Sequence, residues 1–192
     1  MALVFPNTPA NYKAFFEELA TTHKLIRHNE NPNRQNFCMI SIKSGISGFA
    51  DNDIRAFLDK ARTKTSAKST ESESSCQMIV EMMDTSHSAD QLKVGSKGVV
   101  GSFSILTHPK EKSIAENDSL RDTCYQVGMD IVAAMRNFFS ANYSKGKILA
   151  IETEPIRVNS NVGWRFDFEF VAYASVCYDS TKFDNLTITE LP

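Results

Sequence analysis

The sequence holds none of the short motifs by which chains usually announce catalysis. There is no Gly-x-Ser-x-Gly turn, no phosphate loop and no dinucleotide fingerprint, so the common local devices for holding a nucleophile, a nucleotide phosphate or a nicotinamide are missing. The four histidines are His23, His28, His87 and His108. His23 and His28 are spaced to lie on different faces of a helix, and neither has a carboxylate placed to complete a metal site. His23 falls on an apolar stripe and reads as a satisfied, half-buried side chain. The four cysteines, Cys38, Cys76, Cys124 and Cys177, lie 38, 48 and 53 residues apart with no Cys-x-x-Cys pair. Metal sites use short local spacings and small disulfide scaffolds use denser ones, so all four are read as reduced core thiols. No cofactor and no metal are expected.

An excess of charge of one sign is missing too. Lys and Arg number 21 against 23 Asp and Glu, a net charge of −2, which gives no global field for nonspecific nucleic-acid binding. No run approaches the roughly 18 apolar residues of a membrane span, and Met1 to Pro6 is not a basic leader followed by an apolar stretch. Neither a membrane partner nor secretion by a standard signal is expected. At 192 residues, 42% hydrophobic and 23% charged, the chain has the composition of one globular domain.

What is present is pattern. In the closing region Trp164, Phe166, Phe168, Phe170, Ala172, Ala174, Val176 and Tyr178 take every second position, with Arg165, Asp167 and Glu169 between them. That is the period of a strand with one buried and one solvated face. Its second face turns apolar at Val171, Tyr173 and Cys177, so the far end is expected to lie under another layer or a neighbouring subunit. Ile148 to Val158 supplies the partner strand of a long hairpin turning near Asn159-Ser160-Asn161.

Thr8-Pro9 caps an amphipathic helix with Tyr12, Phe15, Phe16, Leu19, His23 and Ile26 on one stripe, about 18 residues long by that pattern. A second helix is capped at Asp118-Ser119 and carries Leu120, Cys124, Val127, Gly128, Ile131, Val132, Met135, Phe138 and Phe139 at helical spacing. Gly128 within this stripe sacrifices about 1 kcal/mol of helix propensity, which makes sense where a helix crosses another element closely. Short strands are read at Phe37 to Ile42, Cys76 to Met83 and Gly98 to Thr107. A short helix after Asp51-Asn52-Asp53 carries Ile54, Phe57, Leu58 and Ala61. The stretch from Asp84 to Lys97 reads as a connection, with Gly95-Ser96-Lys97-Gly98 as a turn. The fold class is α+β: an antiparallel sheet with both long helices packed on one face.

Between Arg62 and Ser75, 8 of 14 residues are Ser or Thr and none is large and apolar. Such a segment cannot offset its ordering entropy by burial, so a mobile arm is expected. Its basic half, Arg62, Lys64 and Lys68, precedes an acidic half, Glu71 and Glu73, and these are the candidate partner-contact residues.

The element order and size, the Gly163-Trp164-Arg165-Phe166-Asp167-Phe168-Glu169-Phe170 hairpin and the Cys177-Tyr178-Asp179 ending together resemble the neck and tail-completion proteins of tailed bacteriophages. The resemblance is to the tail-terminator-like family, with connector ring proteins as the near alternative. It implies an α+β structural protein of the virion, assembled in the host cytoplasm, without catalytic residues. It also implies a homo-oligomeric ring, sixfold or twelvefold, contacting other neck or tail proteins, with DNA only passing through its channel. Arg165, Asp167, Glu169, Val171 and Tyr173 are the candidate subunit-interface residues. Two other classes stay open: a small-ligand or peptide-binding module with a cavity between the helices and the aromatic strand face, and an enzyme using Asp167 and Glu169.

Overall fold

The computed structural model describes residues 3–29, 35–40, 76–81, 84–86, 96–109, 113–158 and 160–173. Arg62, Lys64, Lys68, Glu71 and Glu73 lie outside them, as do the short helix expected after Asp51 and the chain beyond Tyr173.

Helix α1, Pro9–Thr22, starts where the capping chemistry places it: Thr8 is extended, its Oγ1 accepts from the Asn11 N–H at 3.2 Å, and Pro9 opens the first turn. It ends sooner than its apolar stripe. The Thr22 hydroxyl donates to the Glu18 carbonyl at 2.8 Å, and the chain leaves the helix at His23. Ile26 is buried all the same, from the turn that follows. Helix α2, Ile114–Ala141, starts earlier than expected, because Ser113 rather than Asp118-Ser119 is the cap. Its Oγ accepts from the Glu116 N–H at 3.1 Å, and Ser113-Ile114-Ala115-Glu116 has the capping-box spacing. The apolar stripe concealed this start because the first turn faces solvent, with Ile114 81% exposed.

Among the described residues six strands form one sheet: β1 Phe37–Ile40, β2 Gln77–Glu81, β3 Asp84–Ser86, β4 Ser96–Thr107, β5 Gly146–Val158 and β6 Asn161–Tyr173. Their order is β1-β2-β4-β6-β5, with β3 also paired to β4. The sheet is mixed rather than wholly antiparallel, since β1 and β2 run parallel in the register Cys38↔Ile79. A hydrophobic pattern sets which face is buried but not strand direction, and the long 41–75 connection permits the parallel arrangement. Residues 84–86, read as part of a connection, pair with 98–100, and Ser96 and Lys97 belong to β4 rather than to a turn. The closing hairpin pairs Val158 with Asn161, so the chain reverses where expected, and within the described residues β6 ends at Tyr173.

Both long helices cover one face, as the two stripes predict. Tyr12, Phe15, Phe16 and Leu19 of α1 and Cys124, Val127, Ile131, Val132, Met135 and Phe139 of α2 share a core with Phe103, Phe166, Phe168 and Phe170. Phe103 and Phe166 stack at 4.8 Å with planes 6° apart. Gly128 sits where α2 crosses that pair, and an added Cβ would overlap the Phe166 ring. The close crossing implied by a glycine in the stripe is thus present.

Candidate functional site

The face of the sheet opposite the helices carries every described candidate-interface residue. Alternation along β6 sends Trp164, Phe166, Phe168 and Phe170 to the core and Arg165, Asp167, Glu169, Val171 and Tyr173 to the outer face. β6 is nevertheless an interior strand, paired to β4 on one side and β5 on the other. Its backbone hydrogen bonds are therefore used within the chain, and these residues can meet a neighbour only through side chains.

Arg165 organises the middle of the outer face. Its Nη1 bonds Glu81 Oε1, its Nη2 donates to Glu81 Oε2 at 3.0 Å, and its Nε donates to Asp167 Oδ1 and Oδ2 at 2.9 and 3.2 Å. Glu154 Oε1 stands 4.0 Å away on β5. The guanidinium spans from β6 to β2 because the intervening β4 presents the small Ser104 and Ser102 at this level, opposite Arg165 and Asp167 in register. Burial opposes the charged form of Arg165, but hydrogen bonding and charge from Glu81, then from Asp167, outweigh it and hold the group above its ordinary range. One cation thus faces three carboxylates, leaving this part of the face acidic. Ser102 Oγ, buried opposite Asp167, has no hydrogen-bond partner among the described residues.

Glu81 also ties the outer face to the core through its backbone. The buried Tyr12 hydroxyl donates to the Glu81 carbonyl at 3.1 Å, and burial, then the Glu81 charge, push the phenol well above its usual range. Asp167 is held by Arg165. Glu169 lies one step further along β6, opposite Val100 of β4 and Ala150 of β5. Asp167 and Glu169 are thus neighbours on one strand face, with the Arg165 guanidinium bonded to the former.

The two ends of the face differ. Near Gly163 it is apolar: Ile40, Ile79 and Leu106 are buried, with Cys38, Ile156 and Val158 packed against them. A groove of about 510 Å³ runs between this cluster and the Arg165 row. At the other end Val100 and Tyr173 are 49% and 40% exposed, and Val171 is half-buried. A second groove, about 350 Å³, lies along β5 beside the end of α2 and is lined by Arg136, Tyr143, Lys147 and Leu149. The region between the helices and the aromatic face of β6 is instead filled by interlocking rings, including Phe16–Phe168 at 5.5 Å and Phe139–Phe170 at 4.9 Å. The grooves just described lie outside it.

His23 behaves as its position on the stripe suggests, with Nε2 3.3 Å from Asp130 Oδ2. Cys38, Cys76 and Cys124 are not disulfide-bonded, and Cys177 is outside the described residues. The Cys124 thiol meets Cys76 and the Val162 carbonyl, the latter at 3.8 Å. Its hydrogen bond with Cys76, then burial, push it far above the ordinary thiol range. Among the described residues no cluster of three His, Cys, Asp or Glu side chains could hold a metal, and no helix is long and apolar enough to cross a membrane.

Sequence reasoning found Arg165 and Asp167 but missed Glu81 and Glu154, the partners from other strands. Glu81 closes a strand read as simply apolar, and only the β2–β4–β6 register brings it beneath Arg165. No protein-family model matches this sequence, and comparison with curated proteins gives no match.

Proposed function

We propose that this chain is a structural protein of a tailed-bacteriophage particle, forming a homo-oligomeric ring at the neck or head-proximal end of the tail and joining or terminating the tail tube. The observation that supports it is the pair of strand edges. Among the described residues β5 pairs only with β6 and β1 only with β2. β1 runs parallel to β2 and hence to β6, whereas β5 runs against β6, so in identically oriented neighbours β5 of one copy is antiparallel to β1 of the next. Repeating that heterologous contact closes a ring when the rotation between copies divides a full turn, as it does in the sixfold or twelvefold ring proposed. A long exposed edge strand invites pairing, and here the bulge at Ile148/Ala150 and Pro155 confine it to a short central stretch. The carboxylate-rich outer face and the net charge of −2 give passing DNA little to hold.

Pro155 has no N–H to give, so its pair with Trp164 is of the non-hydrogen-bonded kind. Alternation makes Thr153↔Phe166 another such pair, with the Thr153 N–H directed away from β6. Thr153→Pro should remove a donor from the free edge without breaking the hairpin. Sedimentation and negative-stain imaging are expected to show rings of six or twelve 21.5 kDa subunits for the parent chain and monomers for Thr153→Pro. A parent chain that stays monomeric at high concentration, or a variant that forms rings as well as the parent, would overturn the reading.

A further inference from the structure

Where the end of α2 meets β5, a groove of about 350 Å³ combines apolar surface with two exposed cations. Phe139 is buried and Ile151 half-buried along it, while Arg136, Tyr143, Lys147 and Leu149 are exposed. Tyr143 and Leu149 show 65% and 46% of their surface to solvent, unusual exposure for side chains of this size. No carboxylate lines the groove, and neither Arg136 nor Lys147 makes an ion pair with a described residue.

Two local features of the chain build it. The β5–β6 register shifts between Ile148 and Ala150, so Leu149 is the extra residue of a bulge, opposite no residue of β6. α2 ends beside that bulge, and its last carbonyls are partly capped. The Asn142 N–H donates to the Phe138 and Phe139 carbonyls at 3.0 and 3.2 Å, and Asn142 Nδ2 donates to the Phe138 carbonyl at 2.9 Å. An uncapped helix end carries the equivalent of about half a negative charge. The two full positive charges of Arg136 and Lys147 outweigh it, so the groove is cationic on a protein whose net charge is −2.

We infer that this groove is a docking site for an extended, acidic segment of another protein, which places an aliphatic side chain against Tyr143 and Leu149 and a carboxylate on Arg136 and Lys147. Charge complementarity selects that occupant. The strand edge that a second copy would offer, Phe37–Ile40, carries no carboxylate, and a second copy's Glu81 and Asp167 are already bonded to Arg165. Nucleic acid would gain the phosphate contacts of two cations only. An extended segment also brings main-chain groups to the unpaired backbone of Leu149. The inference does not rest on ring formation, because the groove is complete within one chain.

The probe is a displayed random-peptide library selected on the full chain, followed by fluorescence anisotropy with the synthetic consensus peptide. Enrichment of Asp or Glu alternating with aliphatic residues is expected. Arg136→Glu and Lys147→Glu should each weaken that peptide about tenfold and leave thermal unfolding unchanged, since both side chains are exposed. A peptide with lysine in place of its acidic residues should bind the double variant better than it binds the parent. Thr153→Pro should bind the consensus peptide as the parent does, whatever its oligomeric state. Enrichment of basic or uncharged peptides, no enrichment, or acidic peptides whose affinity survives both charge reversals would overturn the inference. Self-association lost in Arg136→Glu, with no peptide bound by the parent, would assign the groove to a second copy. Labelled oligothymidylate binding more tightly than the peptide would assign it to nucleic acid; either result also refutes the proposal.

Discussion

Replacing Gly128 with alanine sets two known effects against each other at a place where the structure decides the winner. In an exposed helix the change would stabilise by about 1 kcal/mol through helix propensity. Here the new Cβ would overlap Cζ and Cε2 of Phe166 and lie 2.9 Å from Cε1. Restoring a normal carbon–carbon separation requires a shift of about an ångström or more. The ring has little freedom to give way, since Phe166 is fully buried, stacked on Phe103 at 4.8 Å and flanked by Tyr125 at 6.3 Å. Overpacking of a filled core costs about 1–3 kcal/mol, and this site belongs at the upper end of that range. The net expectation is a loss of about 2 kcal/mol, which for a chain of this size lowers Tm by roughly 4–8 °C. Urea denaturation should show a lower midpoint with an unchanged slope. Adding Phe166→Leu should recover part of the loss, so that the double variant is less destabilised than the sum by about 1 kcal/mol. A Gly128→Ala protein more stable than the parent would show that α2 does not press on the sheet there and that the packing argument is wrong.

Arg165→Met should cost about 2 kcal/mol, because it leaves the half-buried Glu81 beside Asp167 and Glu154 with no cation. The loss should shrink in 1 M salt, where like-charge repulsion is screened. Glu154→Gln, an exposed partner at 4.0 Å, should change stability by less than about 0.5 kcal/mol; equal losses from the two variants would contradict the assigned hierarchy. With Cys177→Ser to simplify the count, a thiol reagent should modify half-buried Cys38 first and reach Cys76 and Cys124 only on unfolding. Rapid modification of Cys124 in the folded protein would contradict its burial and its contact with Cys76.

The two long helices and the closing hairpin, with their buried faces, were legible in the sequence. Helical spacing from Tyr12 to Leu19 and from Cys124 to Phe139, and alternation from Trp164 to Ala172, are local consequences of backbone periods, so they can be read one residue after another. The sequence also located the polar row at Arg165 and Asp167, since residues two apart on one strand share a face. Ends of elements were less legible. Ser113 caps α2 well ahead of Cys124, the first buried side chain of the helix, and Thr22 ends α1 before its stripe runs out, because caps follow backbone hydrogen bonding rather than burial.

Strand order, strand direction and the meeting of distant residues are properties of the assembled sheet and could not be read along the chain. The parallel β1–β2 pair, the interior place of β6 and the reach of Arg165 to Glu81 all depend on register between strands far apart in sequence. Register is fixed by the packing of the whole sheet against its two helices. A strand's own alternation gives the face of each side chain, but the neighbour across that face is chosen by every other strand at once.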